Sequence, residues 1–260
     1  MASATISTRL AGYDTLGRAI QLGFLLVLAI LWYVSTEQGM VNPLVLPAPG
    51  AVFEELWEIF AEGEVWSPLF TTLGQIAVAL AVSSIVGLTV GYLASRTGYT
   101  VKVFDPLFSS LYAIPSILFY PLLILFFGIG VQSKIAMGIL IAIFPIILAT
   151  IAGFANVDRA YKVAAQSMGA SDRQMFFHVL LPAALPVIAS GLRIGTITAT
   201  GGTLAAEALG SFNGLGHMIV TLSDQFNMAK VFAYVIVAIA MALIITFSAF
   251  AVENRINRHA

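Results

Sequence analysis

Apolar residues gather along the chain in six long runs, at about 18–36, 70–94, 106–128, 134–153, 184–208 and 231–252. A helix needs roughly 20 such residues to cross about 30 Å of hydrocarbon. The pattern therefore predicts an all-α integral membrane protein with six transmembrane helices. On this reading residues 18–252 form one membrane domain, between a short segment 1–17 and a tail 253–260. Only the glycines at Gly128 and Gly130 separate the third run from the fourth. The first run lacks an A-x-A cleavage pattern and reads as a retained span, not a signal peptide.

Two polar stretches interrupt the apolar runs. In the first, Pro49-Gly50 opens an amphipathic segment, 49–62, with Val52, Phe53, Leu56, Ile59 and Phe60 on one face and Glu54, Glu55, Glu58 and Glu62 on the other. This predicts a helix lying along the outer membrane surface, either as a cap over the bundle or as a docking face for an external partner. The second runs from Asn156 to Pro182 and crowds Asp158, Arg159, Lys162, Asp172, Arg173 and His178 together. Asn156 is placed to cap a helix with Asp158 in its first turn. Gly169 is placed to end that helix, and Ser171 with Gln174 forms a capping box for a second one. Ala164 and Ala165 leave little bulk beside the turn at Gly169-Ala170, so another surface could approach the backbone. Pro182 and Pro186 mark the start of the fifth span.

Composition excludes the soluble alternatives. The chain is 59% hydrophobic with mean hydropathy +0.95, well above the roughly 45–50% of soluble domains. A net charge of −1 points to neither nucleic acid nor acidic ligands, and with 0 cysteines there are no disulfides or thiolate metal ligands. The basic residues set the topology. With a cytoplasmic amino terminus, nine lie inside (Arg9, Arg18, Arg96, Lys102, Arg159, Lys162, Arg173, Arg255, Arg258) against Lys134 and Lys230 outside. Both termini and the Asn156–Pro182 insert are thus expected in the cytoplasm.

Few polar side chains sit at membrane depth. Glu207 is a carboxylate within a span, preceded by Thr196, Thr198, Thr200 and Thr203. Such a group costs about 2.5–3.5 kcal/mol to insert and must face a partner, cavity or interface. It reads either as a lining or gate residue or as a structural carboxylate tied to backbone or hydroxyls. Arg193 reads as snorkelling, pairing with an acid, or binding an anion. Tyr112, Ser116 and Tyr120 are spaced to share one face of the third span, as a pathway lining or as packing. Pro115, Pro121, Pro145 and Pro186 would kink the spans, and any freed carbonyls must face protein or a wet cavity. His217 stands alone in the predicted outer loop, and no metal site is predicted.

The insert also carries a recognisable pattern. Val163-Ala164-Ala165, three residues, Gly169, nine residues, then Val179-Leu180-Leu181-Pro182 resembles the E-A-A-x3-G-x9-I-x-L-P motif. That motif marks permease subunits of bacterial ATP-binding-cassette (ABC) importers. Further blocks are similar to the nitrate/sulfonate/taurine branch: NPLVLPAPG (Asn42–Gly50), FDPLFSSLYAIPS (Phe104–Ser116), LLILFFGIG (Leu122–Gly130), GLRIG (Gly191–Gly195) and AAEALGSFNGLGHMI (Ala205–Ile219). VENRINR at the carboxyl end completes a resemblance over residues 42–258. The leading Glu of the motif is Val163 here, so a charge contact at that point is absent or made by Lys162 or Gln166.

The resemblance implies a type I ABC importer permease fold in the bacterial inner membrane. It implies a dimer of permeases, two cytoplasmic ATPases seated on the insert, and an external solute-binding protein. Lys162, Val163, Ala164, Ala165, Gly169, Ala170, Ser171, Asp172 and Pro182 would form the coupling loop. Tyr112, Ser116, Tyr120, Arg193, Thr200, Thr203 and Glu207 are candidate pathway or gate residues. The chain has no G-x4-G-K-[ST] loop and no Gly-Lys pair, so ATP and Mg are expected on the partner ATPase, and no cofactor or enzymatic activity on this chain. The implied cargo is a small anion such as nitrate, taurine, a sulfonate or bicarbonate, or a vitamin precursor or aromatic compound. Two rivals come from other classes. One is a secondary transporter or channel using Glu207 as ion or proton site, and the other is an intramembrane enzyme. Neither accounts for the insert.

Overall fold

The computed structural model describes the backbone of residues 2–258 and side chains from Ile20 onward. Met1 and residues 259–260, the outer ends of the two predicted terminal segments, lie outside the described residues. In chain order the helices are α1 (Ala2–Glu37), α2 (Pro49–Ala61), α3 (Trp66–Ala94), α4 (Gly98–Ala113), a 3-10 turn (Ser116–Phe119), α5 (Tyr120–Phe127) and α6 (Val131–Ala155). They continue as α7 (Arg159–Ser167), α8 (Asp172–Met175), a π turn (Phe176–Leu180), α9 (Leu181–Leu209), α10 (Leu215–Asp224) and α11 (Met228–Asn257). Among the described residues five helices are long and apolar enough to span a membrane, and six if the bent pair 98–127 is one span.

That bent pair corrects the third predicted span. Gly98–Ala113 and Ser116–Phe127 meet at 76°. Ile114, held extended at ψ 128, precedes Pro115, and the proline ring excludes the helical region for the residue before it. Tyr112 and Tyr120 therefore stand on different helices and do not share a face. Pro121 begins α5, where a missing N–H costs nothing. Two other boundaries shift as well. Residues 253–257 of the predicted tail are helical and continue α11, and α10 occupies part of the predicted outer loop.

The chain divides into two compact units, one gathering the chain up to Glu62 with Leu222–Ala233, the other Gly63–Thr221 with Tyr234 onward. In the first, Leu22, Phe24, Leu25 and Leu26 of α1 are each at least 60% exposed, as a lipid-facing span requires. Trp32 donates its indole N–H to the Pro47 carbonyl at 2.9 Å and lies 6.1 Å from the Phe232 ring. On α2 only Val52 and Ile59 of the predicted apolar face are buried, while Phe53 and Phe60 are exposed.

The second unit is built on α3, α6 and α9, whose backbones approach closely because small residues line the seams. A Cβ added to Gly87 would meet Ile146, one on Gly91 would meet Thr150, and one on Gly138 would meet Ala79. Every one of these pairs is 59 residues apart in sequence (146 − 87, 150 − 91, 138 − 79), so α3 and α6 run parallel. Against α9 the order reverses: Gly138 lies on Thr203, Gly195 on Ile146 and Gly153 on Ile188. Lipid is as apolar as leucine, so close packing and not hydrophobic exclusion holds such helices together.

Candidate functional site

The Asn156–Pro182 insert forms a compact helical hairpin, with two local differences from its sequence pattern. Asp158, not Asn156, caps α7 and accepts the Ala160 N–H at 2.8 Å, whereas Asn156 closes α6. Both residues suit a cap, and the helix begins at the carboxylate nearer its first turn. Gly169, at φ 77, ends α7. The Ala170 N–H reaches the Ala165 carbonyl at 3.0 Å and the Gly169 N–H reaches Gln166 at 2.9 Å, which is the Schellman arrangement that favours glycine. Ser171 and Gln174 then exchange the predicted capping-box bonds, with Ser171 N–H to Gln174 Oε1 at 2.9 Å. The second helix is not short, however. It passes through the π turn directly into α9, one helical stretch from Asp172 to Leu209. The π turn lies just ahead of Pro182, whose ring cannot donate to the carbonyl one turn back and crowds it.

The hairpin is pinned on one face and open on the other. Ala165 is buried, so of the two alanines only Ala164 remains on the surface. Phe154, Val157, Ala184 and Ile188 form the core beneath, with Tyr92 and Phe176 packed on them. Ring centroids of Tyr92 lie 5.2 Å from Phe154 and 4.9 Å from Phe176. The outer face carries exposed Tyr161, Val163, Met168 and Phe177. Beside them Ser171, Arg173, Gln174, Phe177 and His178 line a shallow concavity of about 420 Å³. Lys162 and Ala170 are half-buried and Asp172 is exposed. Apart from its chain neighbours, nothing among the described residues lies within 4 Å of a Cβ built on Gly169.

The structure distributes the candidate pathway residues over α4, the 3-10 turn, α5 and α9. Tyr112 is exposed on α4 and packs its ring 6.5 Å from Phe144. Ser116 sits in the 3-10 turn. Tyr120, Thr200, Thr203 and Glu207 are all buried. Tyr120 donates its hydroxyl to the Gly210 carbonyl at 3.0 Å, and Thr200 donates to Thr196 of its own helix at 2.9 Å.

Glu207 is wholly buried and fastens three elements. Its carboxylate accepts the Thr72 hydroxyl, 2.8 and 2.9 Å from the two oxygens, and the Gly216 N–H at 2.9 Å. The same Thr72 oxygen accepts the Leu215 N–H at 3.0 Å. The start of α10 is thereby capped from α3 and α9 together, satisfying donors that a helix leaves open. A Cβ on Gly214 would fall on the Glu207 carboxylate, so the approach depends on glycine. Asn213 adds side-chain N–H bonds to Ser67 at 3.1 Å and Thr71 at 3.2 Å. His217 lies in the first turn of α10, within 3.4 Å of the Thr221 hydroxyl. Of the two readings of Glu207, the arrangement is that of a carboxylate tied to hydroxyl and backbone.

Arg193 pairs with an acid. Its Nε lies 2.6 Å from Glu253 Oε2, on the rim of a cavity of about 470 Å³ otherwise lined mainly by apolar side chains of α9 and α11, such as Leu192, Ile244 and Val252. The side chains are 31% and 11% exposed. Arg193→Gln leaves a mostly buried carboxylate without its counter-charge. The partial exposure limits the loss to about 1 kcal/mol, so thermal unfolding in detergent should show a melting point about 2–4 °C lower. An unchanged melting point would mean that solvent screens the pair.

Five or six candidate spans with one polar hairpin make this a multi-pass membrane architecture. The chain belongs to the family of binding-protein-dependent transport system inner membrane components, which matches residues 83–259. It is therefore a multi-pass inner-membrane transport subunit. Relatives agree in length as well as sequence. The chain is 32% identical to the taurine transport system permease protein TauC of Escherichia coli (strain K12) over 244 residues, 92% of this chain and 88% of that one. Identity to the formylaminopyrimidine transport permease protein ThiX of Halalkalibacterium halodurans is 31% over 81% of this chain and 83% of the relative. A third relative, named for aliphatic sulfonates transport in Bacillus subtilis (strain 168), is 33% identical over 81% of this chain and 76% of its own length. In fold the chain is similar to the inward-facing MetNI methionine ABC transporter, with TM-score 0.59 at 23% identity over 72% of this chain and 93% of that one. The type I importer permease fold and the nitrate/sulfonate/taurine branch are both as expected from the sequence.

Proposed function

We infer that this chain forms the translocation pathway of an ATP-driven importer for a small solute. Two permease chains enclose the path, two ATPases that bind ATP and Mg seat on the hairpins, and an external binding protein delivers the cargo. The termini and the hairpin lie in the cytoplasm. Lys134, counted in an outer loop, is in fact buried in α6, and removing it from the count strengthens the charge bias. Nucleotide-driven closure of the ATPases would draw the two hairpins together and reverse the side to which the pathway opens. The observation that carries this reading is the hairpin's outer face. There Met168, 81% exposed, stands beside an open Gly169 turn on a rigid, aromatic-pinned support. The relatives' names cover taurine, aliphatic sulfonates and a formylaminopyrimidine, and those three compounds define the cargo panel. Tied to Thr72 and Gly216, Glu207 reads as a structural carboxylate and not as a transported-ion site, which disfavours the secondary-transporter reading.

The test is cross-linking. With cysteine at position 168 in this cysteine-free chain, a short bifunctional reagent should capture the ATPase subunit that co-purifies with it. Capture from position 226 (Phe226) and not from 168 would refute the docking assignment.

A further inference from the structure

We propose that α3, α6 and α9 enclose an internal water site, in which bound water joins Lys134 to Glu207 as a solvent-bridged ion pair. The packing register places these residues together. Gly138 meets both Ala79 and Thr203. One turn along each helix from that point, residues 134, 75 and 207 fall in a single layer, with Thr72 and Thr203 on either side of it. Gln75 is 2% exposed, Lys134 1%, and Thr203 and Glu207 0%.

Hydrogen bonding in this layer is incomplete. Lys134 Nζ, Gln75 Oε1 and Thr203 Oγ1 have no hydrogen-bond partner among the described residues. An ammonium brings three donors and a carboxylate about four acceptor positions, of which Thr72 and Gly216 fill only part. A buried ammonium left bare is prohibitively costly, and Lys134 does not touch Glu207 directly. Water satisfies the set, since it can accept from Lys134 and donate to Glu207 and Gln75, with the Thr203 hydroxyl serving either role. Internal waters commonly make about three such bonds. A bound anion would face Glu207 and a bound cation would face Lys134, so a neutral occupant fits the site better than either. Because Glu207 also caps α10, the site ties that outer helix to the bundle core.

The test uses the full chain and reads folding, so it stands apart from the transport assignment. Lys134→Met and Glu207→Gln should each lose more than half of the monodisperse protein, since each strands one polar partner. The double variant K134M/E207Q, with no net charge left in the layer, should recover at least half of the wild-type yield. Losses that simply add would overturn the pairing. High-resolution density of the wild-type protein should show ordered solvent within hydrogen-bond distance of both Lys134 Nζ and the Glu207 carboxylate. A dry layer, or direct contact between the two groups, would overturn the water site.

Discussion

Ala164→Trp should reduce solute uptake at least about tenfold while leaving the protein folded and inserted. Ala164 lies on the exposed side of α7, and its neighbour Ala165 faces the interior. An indole at 164 therefore starts from an exposed position and not from the buried side of the helix. Its intrinsic cost in an exposed helix is only about 0.5 kcal/mol. If a partner approaches the backbone there, the added bulk holds the two surfaces apart, and a loss of about 1.4 kcal/mol already lowers affinity tenfold. Uptake and size-exclusion profile should be measured on the same preparation, with Ala164→Ser as the conservative control. Wild-type uptake by a well-folded A164W protein would remove α7 from the docking surface.

Gly91→Val should have the largest effect on folding. A Cβ at this position would lie 2.6 Å from Thr150 Cβ and 2.8 Å from the Ile147 carbonyl oxygen. The carbonyl belongs to a helix that cannot yield locally, so α3 and α6 must separate. Overpacking of a closely packed core typically costs about 1–3 kcal/mol, and more where backbone is the obstacle. Separation would also open the contact among Ala94, Ile147 and Ile151. The expected result is near-complete loss of monodisperse protein after detergent extraction. Gly98→Ala is the matched control, because apart from its chain neighbours nothing among the described residues lies within 4 Å of a Cβ built there. Equal yields from the two variants would mean that the α3–α6 seam is looser than described.

What was legible in the sequence was mostly local. Gly169, Ser171 and Gln174 act within one or two turns, so their caps follow from the residues themselves. The same local signals place the cap at Asn156 with Asp158 in the first turn, whereas the structure puts the cap at Asp158. Pro115 announces a bend, but not its angle of 76°. Glu207 stood out as a carboxylate at membrane depth, yet its partner Thr72 lies 135 positions away, which no local pattern reveals. Pairing with an acid is one reading of Arg193, but its partner Glu253 lies 60 positions away in the predicted tail, beyond any local pattern. Lys134 opens the fourth apolar run just after the Gly128–Gly130 turn and reads as an outside charge. Only the register of three helices shows that it points inward.

Import driven by ATP through this chain is tested most directly in proteoliposomes holding the permease, its co-purifying ATPase and its binding protein. Uptake of labelled taurine, an aliphatic sulfonate or formylaminopyrimidine should require enclosed ATP and the ATPase, and should fall at least about tenfold with A164W. Uptake at an undiminished rate without ATP or ATPase, driven by an ion gradient alone, would contradict the account.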